Sequence, residues 1–202
     1  NLQDSERKLK MAKKESTFIN MVATLFIVTL VASTALAYVY ELTKAPIEAA
    51  KLAKKLQAID AVVPEYDNQP VADMFKVAPG DGLDSLEFYP AKKGGEVIGT
   101  AVRSYTNTGY NGLIVLMVGI LPDGTIKDIQ VVEHKETPGL GTKMESPKFK
   151  DQFKEIDPSQ VVLKVKKDGG DIDAITAATI SSRAFSEATQ LAVDTYKKGG
   201  DK

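Results

Sequence analysis

The sequence predicts an α+β protein in which one N-terminal transmembrane helix leads into a single domain with a mainly antiparallel sheet and flanking helices. Three observations predict it. From Ser16 to Tyr40 the chain carries no Asp, Glu, Lys, Arg or His. Strand-like runs then follow one another through the centre, two of them joined by Pro122-Asp123-Gly124. The chain closes on an amphipathic helical pattern with Ala184, Phe185, Ala188, Leu191 and Ala192 on one face.

The charge-free stretch, residues 16–40, is long enough for a span, because a helix needs about 20 apolar residues to cross the hydrocarbon of a bilayer. Tyr38 and Tyr40 stand at its far end, where amphipathic rings favour the membrane interface. A cleavable signal peptide is the competing reading, with Ala35-Leu36-Ala37 as the cleavage-like site. The apolar run continues past that point, which favours a retained anchor. Arg7, Lys8, Lys10, Lys13 and Lys14 precede the span, so residues 1–15 are expected on the cytoplasmic side. Lys44, Lys51, Lys54 and Lys55 follow it and soften that signal. Met11 is a candidate natural start, with residues 1–10 an upstream extension.

Next comes a juxtamembrane helix, assigned to residues 41–66. Its stripe is Ile47, Ala50, Leu52, Leu56, Ile59 and Val63, and Pro46 is placed in its first turn. Residues 67–202 are assigned to one extracytoplasmic domain. Within it, residues 67–83 are polar and punctuated by Pro70, Pro79, Gly80 and Gly82, and read as loop. Strands are expected over 85–90, 96–105, 113–121 and 126–132. Pro122-Asp123-Gly124 is a hairpin turn, since Pro presets one dihedral and Gly takes the positive one. A glycine-rich loop over 137–142 and a short amphipathic stretch around Phe149 and Phe153 follow. A further strand, 161–165, leads through Gly169-Gly170 into 172–176. Lys197, Lys198 and Gly199 suit the end of the last helix.

Composition excludes whole classes of function. The 202 residues hold 26 Lys and Arg against 27 Asp and Glu, so there is no broad basic field for nucleic acid. Cysteine is absent, which removes disulfides, thiolate metal sites, iron–sulfur ligation and c-type haem attachment. His134 is the single histidine, too few for a multi-histidine metal site, and no metal ligands are assigned. Any redox cofactor must therefore be organic or held by oxygen and nitrogen.

Two segments carry chemistry. Asp173-Ala174-Ile175-Thr176-Ala177-Ala178-Thr179-Ile180-Ser181-Ser182 crowds hydroxyls at the start of a helix, where unpaired amides and a partial positive charge favour phosphate. The plainer alternative is that Thr179, Ser181 or Ser182 is an N-cap. His134 to Lys143 contains Glu136-Thr137-Pro138-Gly139-Leu140-Gly141. Its glycines free backbone amides to approach a planar ligand, and Lys143 is placed to meet a phosphate or an anionic ring; alternatively the run is only a tight connection. Thr106 to Gly112, with Gly109-Tyr110-Asn111-Gly112, is a polar turn that says little alone.

Together these segments resemble the FMN-binding domain shared by the G subunit of Rnf complexes and the C subunit of sodium-translocating NADH:quinone reductase. The resemblance covers nearly the whole chain. It implies that a flavin transferase attaches FMN to the last hydroxyl of Asp-x-x-Ser/Thr-Gly-Ala-Ser/Thr, here Asp173, Thr176, Ala178 and Thr179. Thr179 would be the phosphodiester tether and Asp173 part of the transferase recognition. Thr176, Ala178, Ser181 and Ser182 would surround the phosphate. Tyr110, Glu136, Thr137, Gly139, Leu140, Gly141 and Lys143 would shape the flavin pocket. Ala177 departs from the pattern by standing where the family has glycine, which matters if that position needs a positive φ.

The compact length resembles the Rnf subunit more than its longer relative. The implied role is electron relay within a complex that moves electrons from ferredoxin to NAD⁺ coupled to sodium or proton export, with the other subunits as partners. No general acid or base is assigned, and nothing here binds NAD. The rivals are the quinone-reductase subunit and a non-redox, membrane-anchored binding or assembly module.

Overall fold

The computed structural model describes residues 17–80 and 82–199. The basic residues before the span, Ser16, and the assignment of residues 1–15 to the cytoplasm lie outside them. The chain divides into two compact units, one through Ala50 and one from Lys51 onward.

The first unit is helical. Helix α1 spans Phe18–Val62 and is long and apolar enough to cross a membrane. The apolar side chains from Phe18 to Leu42 are exposed, as suits a surface whose solvent is lipid. Thr24, Thr29, Thr34 and Thr43 each donate the side-chain hydroxyl to the carbonyl four residues back, so none leaves a polar hydrogen unpaired in the span. The separate juxtamembrane helix expected over 41–66 is not formed as a second element. Pro46 lies inside α1 instead of in a first turn. It removes a single backbone donor, while the Ala, Leu, Lys and Glu residues on either side of it favour continuation of the helix.

The second unit is built on a five-stranded antiparallel meander: β1 (Phe75–Val77), β2 (Leu86–Lys93), β3 (Glu96–Gly109), β4 (Gly112–Ile120) and β5 (Ile126–His134), in that spatial order. The β4–β5 turn forms as expected, with Gly124 at φ 88° and its amide bonded to the Leu121 carbonyl at 2.9 Å. Strand β4 is buried along seven consecutive residues, because both faces of the sheet are covered. On one face the last turns of α1, through Ala58, Ile59 and Val62, pack with Tyr89, Ala101 and Met117. On the other lies helix α3 (Thr179–Gly199), whose Ala184, Phe185, Ala188 and Ala192 meet Phe88, Val102, Leu116 and Val118. The small alanines let the helix approach the sheet. Phe149, in the helical turn α2 (Pro147–Lys150), and Phe153 close the core against Phe185 at ring separations of 5.2 and 4.9 Å.

Two expectations fail. The segments 161–165 and 172–176 are not sheet strands; they share a lone parallel bridge, Val165 to Ile172. Their side chains explain the misreading, since Leu163, Val165 and Ile172 are buried as strand residues would be. Their backbone bonds close locally instead, from Lys166 to Ile172 and from Gly170 to Val165. The loop over 67–83 also hides β1, a three-residue edge strand held by β2 and by Phe75 stacking on Phe88 at 5.3 Å.

Candidate functional site

The first turn of α3 is built from inside. Ala178 donates its amide to the Ile175 carbonyl at 3.0 Å, and Ser182 returns its own amide to the Ala178 carbonyl at 3.1 Å. The Ser182 hydroxyl accepts from the Ile175 amide at 2.9 Å and donates to the Ala178 carbonyl at 2.9 Å. Ser182 is fully buried, so it organises the turn and has no capacity left to neutralise a phosphate. Between these anchors Ala177 adopts φ 63°, the left-handed region that costs an L-residue about 1 kcal/mol or more. The position at which the sequence departs from glycine is therefore one whose backbone calls for it.

Glu136 is the second organiser. It is 5% exposed, and a carboxylate buried this deeply requires partners. Its Oε2 accepts from the Ser181 hydroxyl at 2.7 Å and its Oε1 from the Asn111 amide at 3.2 Å. One side chain thus joins the first turn of α3 to the β3–β4 turn. Gly109 and Gly141 make room for it: a Cβ at either position would press on the Glu136 carboxylate. His134 braces the same residue, since its Nδ1 accepts from the Glu136 amide at 3.1 Å. That leaves the proton on Nε2, 3.1 Å from Glu145 Oε1. Gly139, at φ 76°, takes the left-handed position of a turn in which Leu140 donates its amide to the Thr137 carbonyl at 3.2 Å.

Two cavities lie on either side of the Thr176–Thr179 segment. The first, of about 450 Å³, is lined by Tyr110, Glu136, Thr137, Leu140, Gly141, Ala177, Ala178, Thr179, Ile180 and Ser181. It brings together most of the residues singled out in the sequence. Thr179 is half-buried in it and makes no side-chain hydrogen bond among the described residues. Tyr110, Leu140 and Ile180 form an apolar rim and are exposed by 66, 41 and 46%. The second, of about 470 Å³, takes Lys143, Asp173 and Thr176 together with Lys148, Ser146 and Gln152. Lys143 and Thr176 thus stand apart from the residues with which the sequence motifs group them. Gly139 and Ser182 line neither cavity.

Sequence reasoning does not single out Ile180. Its signal is a large apolar residue at the second position of an amphipathic helix, off the buried face. Asn111 reads in the sequence only as part of a polar turn, yet its side-chain amide also donates to the Lys135 carbonyl at 2.9 Å and ties the β3–β4 turn to the segment that carries Glu136.

The start of α3 offers backbone amides to an anion beside Thr179, and the one charged side chain in that cavity's lining, Glu136, is turned to Ser181 and Asn111. The first turn of α3 carries no acidic residue of its own, so its unpaired amides and partial positive charge remain available from the solvent side. One turn further on, Arg183 holds Asp168 through two bonds of 2.7 and 2.8 Å. That guanidinium keeps the Asp168 carboxyl below the usual carboxylate range.

Comparison with known proteins places these features in context. The sequence model of a family described as FMN-binding domain matches residues 109–194. The G subunit of the Na⁺-translocating ferredoxin:NAD⁺ oxidoreductase complex of Acetobacterium woodii is 33% identical over 184 residues, covering 86% of this chain and 88% of that protein. The G subunit of the ion-translocating oxidoreductase complex of Methanosarcina acetivorans is 33% identical over 177 residues, covering 86% and 92%. Among solved structures, the C subunit of the Na⁺-translocating NADH-quinone reductase from Parabacteroides distasonis aligns with a TM-score of 0.47 at 20% identity, covering 69% of this chain and 78% of that one.

Proposed function

Because the chain belongs to the family of G subunits of ion-translocating oxidoreductase complexes, we propose that it is the flavin-bearing electron carrier of such a complex, with FMN joined through its phosphate to Thr179. The observation that carries this reading is the contrast among the hydroxyls at the start of α3. Ser181 and Ser182 are buried and bonded, while Thr179 is unbonded among the described residues and lines a cavity with an apolar rim.

The residues present fit the group. Thr179 would hold the phosphate, with the first-turn amides of α3 offsetting its charge. Tyr110, Leu140 and Ile180 present apolar surface for a planar ring and would exclude water from one side of it. Glu136, through Ser181 and Asn111, fixes the distance between the helix and the turn that bears Tyr110. FMN, when bound, supplies reversible one- and two-electron transfer, and the protein's share is tethering, orientation and tuning. Asp173 is exposed and ion-paired with Lys166 at 2.8 Å, on the surface where a flavin transferase would read the segment.

In this reading the charge-free stretch, residues 16–40, anchors the chain in the cell membrane, with the N-terminus cytoplasmic and residues 67–202 on the other side. The remaining subunits supply the donor and NAD⁺ sites, so the isolated chain does not perform the full reaction. Denaturing electrophoresis under ultraviolet light tests the tether. A fluorescent band is expected from a host that expresses the transferase, and none from Thr179→Ala. A colourless chain of unmodified mass from that host would sink the proposal and leave the anchored binding module. The absence of cysteine makes the topology equally accessible: a Cys introduced in place of Ser159 should react with an impermeant maleimide added outside intact cells. Protection of that Cys until the cells are opened would reverse the orientation.

A further inference from the structure

A second cavity beside α3 is larger than the one that holds Thr179. A cleft of about 660 Å³ runs along the flank of the helix, walled by Arg183, Ser186, Glu187, Gln190, Leu191 and Asp194. These positions repeat at three- and four-residue intervals, so they form one stripe about 16 Å long. The opposite wall includes Leu83, Tyr105, Leu163 and Val165, giving a mainly apolar floor. The space is of ordinary volume for a small-molecule pocket, but it runs as a trough along a helix.

Its charges are unbalanced. Five charged groups line it: Lys164, Arg183, Asp168, Glu187 and Asp194. Asp168 is bonded by Arg183, while Lys164 forms no ion pair among the described residues, so the lining carries one excess negative charge. Glu187 accepts a bond from the Thr108 hydroxyl at 2.6 Å and Asp194 one from the Gln190 amide at 2.9 Å. Neither has a cationic partner among the described residues. Next to Glu187, Ser186 is 2% exposed and its hydroxyl has no hydrogen-bond partner among the described residues. A buried hydroxyl left unpaired costs stability, and here it lies in the wall of a cleft.

We infer that this cleft docks a segment of another subunit, a short stretch in which apolar side chains fill the floor, Lys or Arg meets Glu187 and Asp194, and a backbone group pairs with Ser186. The inference rests on the reading that the chain is one subunit of a complex. The chemistry favours a polypeptide over a small ligand because the two carboxylates without an ion pair among the described residues, Glu187 and Asp194, lie two helical turns apart with Leu191 between them.

The test uses the membrane complex purified through a tag on a different subunit. Gln190 is replaced by benzoylphenylalanine, the complex is irradiated, and the joined peptides are identified by mass spectrometry. A crosslink to one segment of another subunit, with Lys or Arg beside apolar residues, is expected. In parallel, Glu187→Lys with Asp194→Lys should reduce the amount of this chain that co-purifies by roughly tenfold or more, while the fluorescent flavin band and the melting temperature stay unchanged. Crosslinks only to lipid or to a second copy of this chain, or undiminished co-purification of the charge-reversed chain, would overturn the inference alone. Failure of the unaltered chain to co-purify with any other subunit would overturn the proposed function and this inference with it.

Discussion

The two cavities that flank residues 176–179 are nearly equal in size and opposite in character. The one holding Thr179 has an apolar rim of Tyr110, Leu140 and Ile180, with a buried carboxylate in its wall. The one holding Thr176 is edged by Lys143 and Lys148, neither of them ion-paired among the described residues. Two threonines three residues apart therefore face different chemistries. Local sequence could not separate them, since each is a hydroxyl near a helix start. The left-handed turn at Ala177 lies between them and sends the chain from one cavity to the other.

The largest effect that would sharpen this contrast is qualitative. Thr179→Ala is expected to abolish the fluorescent band, whereas Thr176→Ala retains it; loss of the band in both would erase the distinction between the cavities. Next in size is Glu136→Ala. It strands the Ser181 hydroxyl and the Asn111 amide, for an expected loss of about 2 kcal/mol, read by urea denaturation of the membrane-extracted chain. An unchanged midpoint would show that the two walls hold together without that carboxylate.

Smaller again is Ala177→Gly. Relief of the left-handed strain, less the extra flexibility of glycine when unfolded, should stabilise by at most about 1 kcal/mol, with the flavin band kept. Destabilisation by that substitution would contradict the positive φ. The smallest effect belongs to Asp168→Asn, at the edge of the flank cleft. Arg183 holds Asp168 below its unfolded value of about 3.9, so the pair stabilises above that value and the benefit is lost as pH falls through the depressed one. The melting temperatures of variant and parent should therefore differ slightly at neutral pH and converge in strong acid. A gap that widens on acidification would reverse the sign.

Much of the fold is written in local pattern. The Pro122-Asp123-Gly124 hairpin, the apolar run of β4 and the amphipathic C-terminal helix each carry a period or a turn chemistry that no tertiary contact needs to supply. The errors share a cause. Segment 161–165 buries Leu163 and Val165 in strand-like alternation, and 172–176 buries Ile172 and Ile175, but their hydrogen bonds stay within the loop, and hydrogen bonding leaves no trace in hydropathy. Strand β1 is too short to show a period at all. Pro46 is a favourable first-turn residue and a tolerable interior one, and the sequence does not choose between them.

The candidate site divides in the same way. The motifs located it, but the roles of individual hydroxyls depended on which were consumed by the fold. Ser182 bonds to Ile175, seven residues back in the chain, and Ser181 to Glu136, 45 residues back. The glycine at 141 looks like a concession to a ligand and is instead space for a carboxylate of the protein itself, and the one at 109 makes room for the Gly112 carbonyl as well as that carboxylate.

That carboxylate has a mechanical consequence. By bracing the turn that begins α3 against a turn of the sheet, Glu136 would make the attachment point proposed at Thr179 a fixed post rather than a swinging arm. The reach of a group joined there is set by the length of its own chain. A relay built this way must bring its electron donor and acceptor to the post, and the spacing of the assembled subunits becomes the quantity on which transfer rate depends.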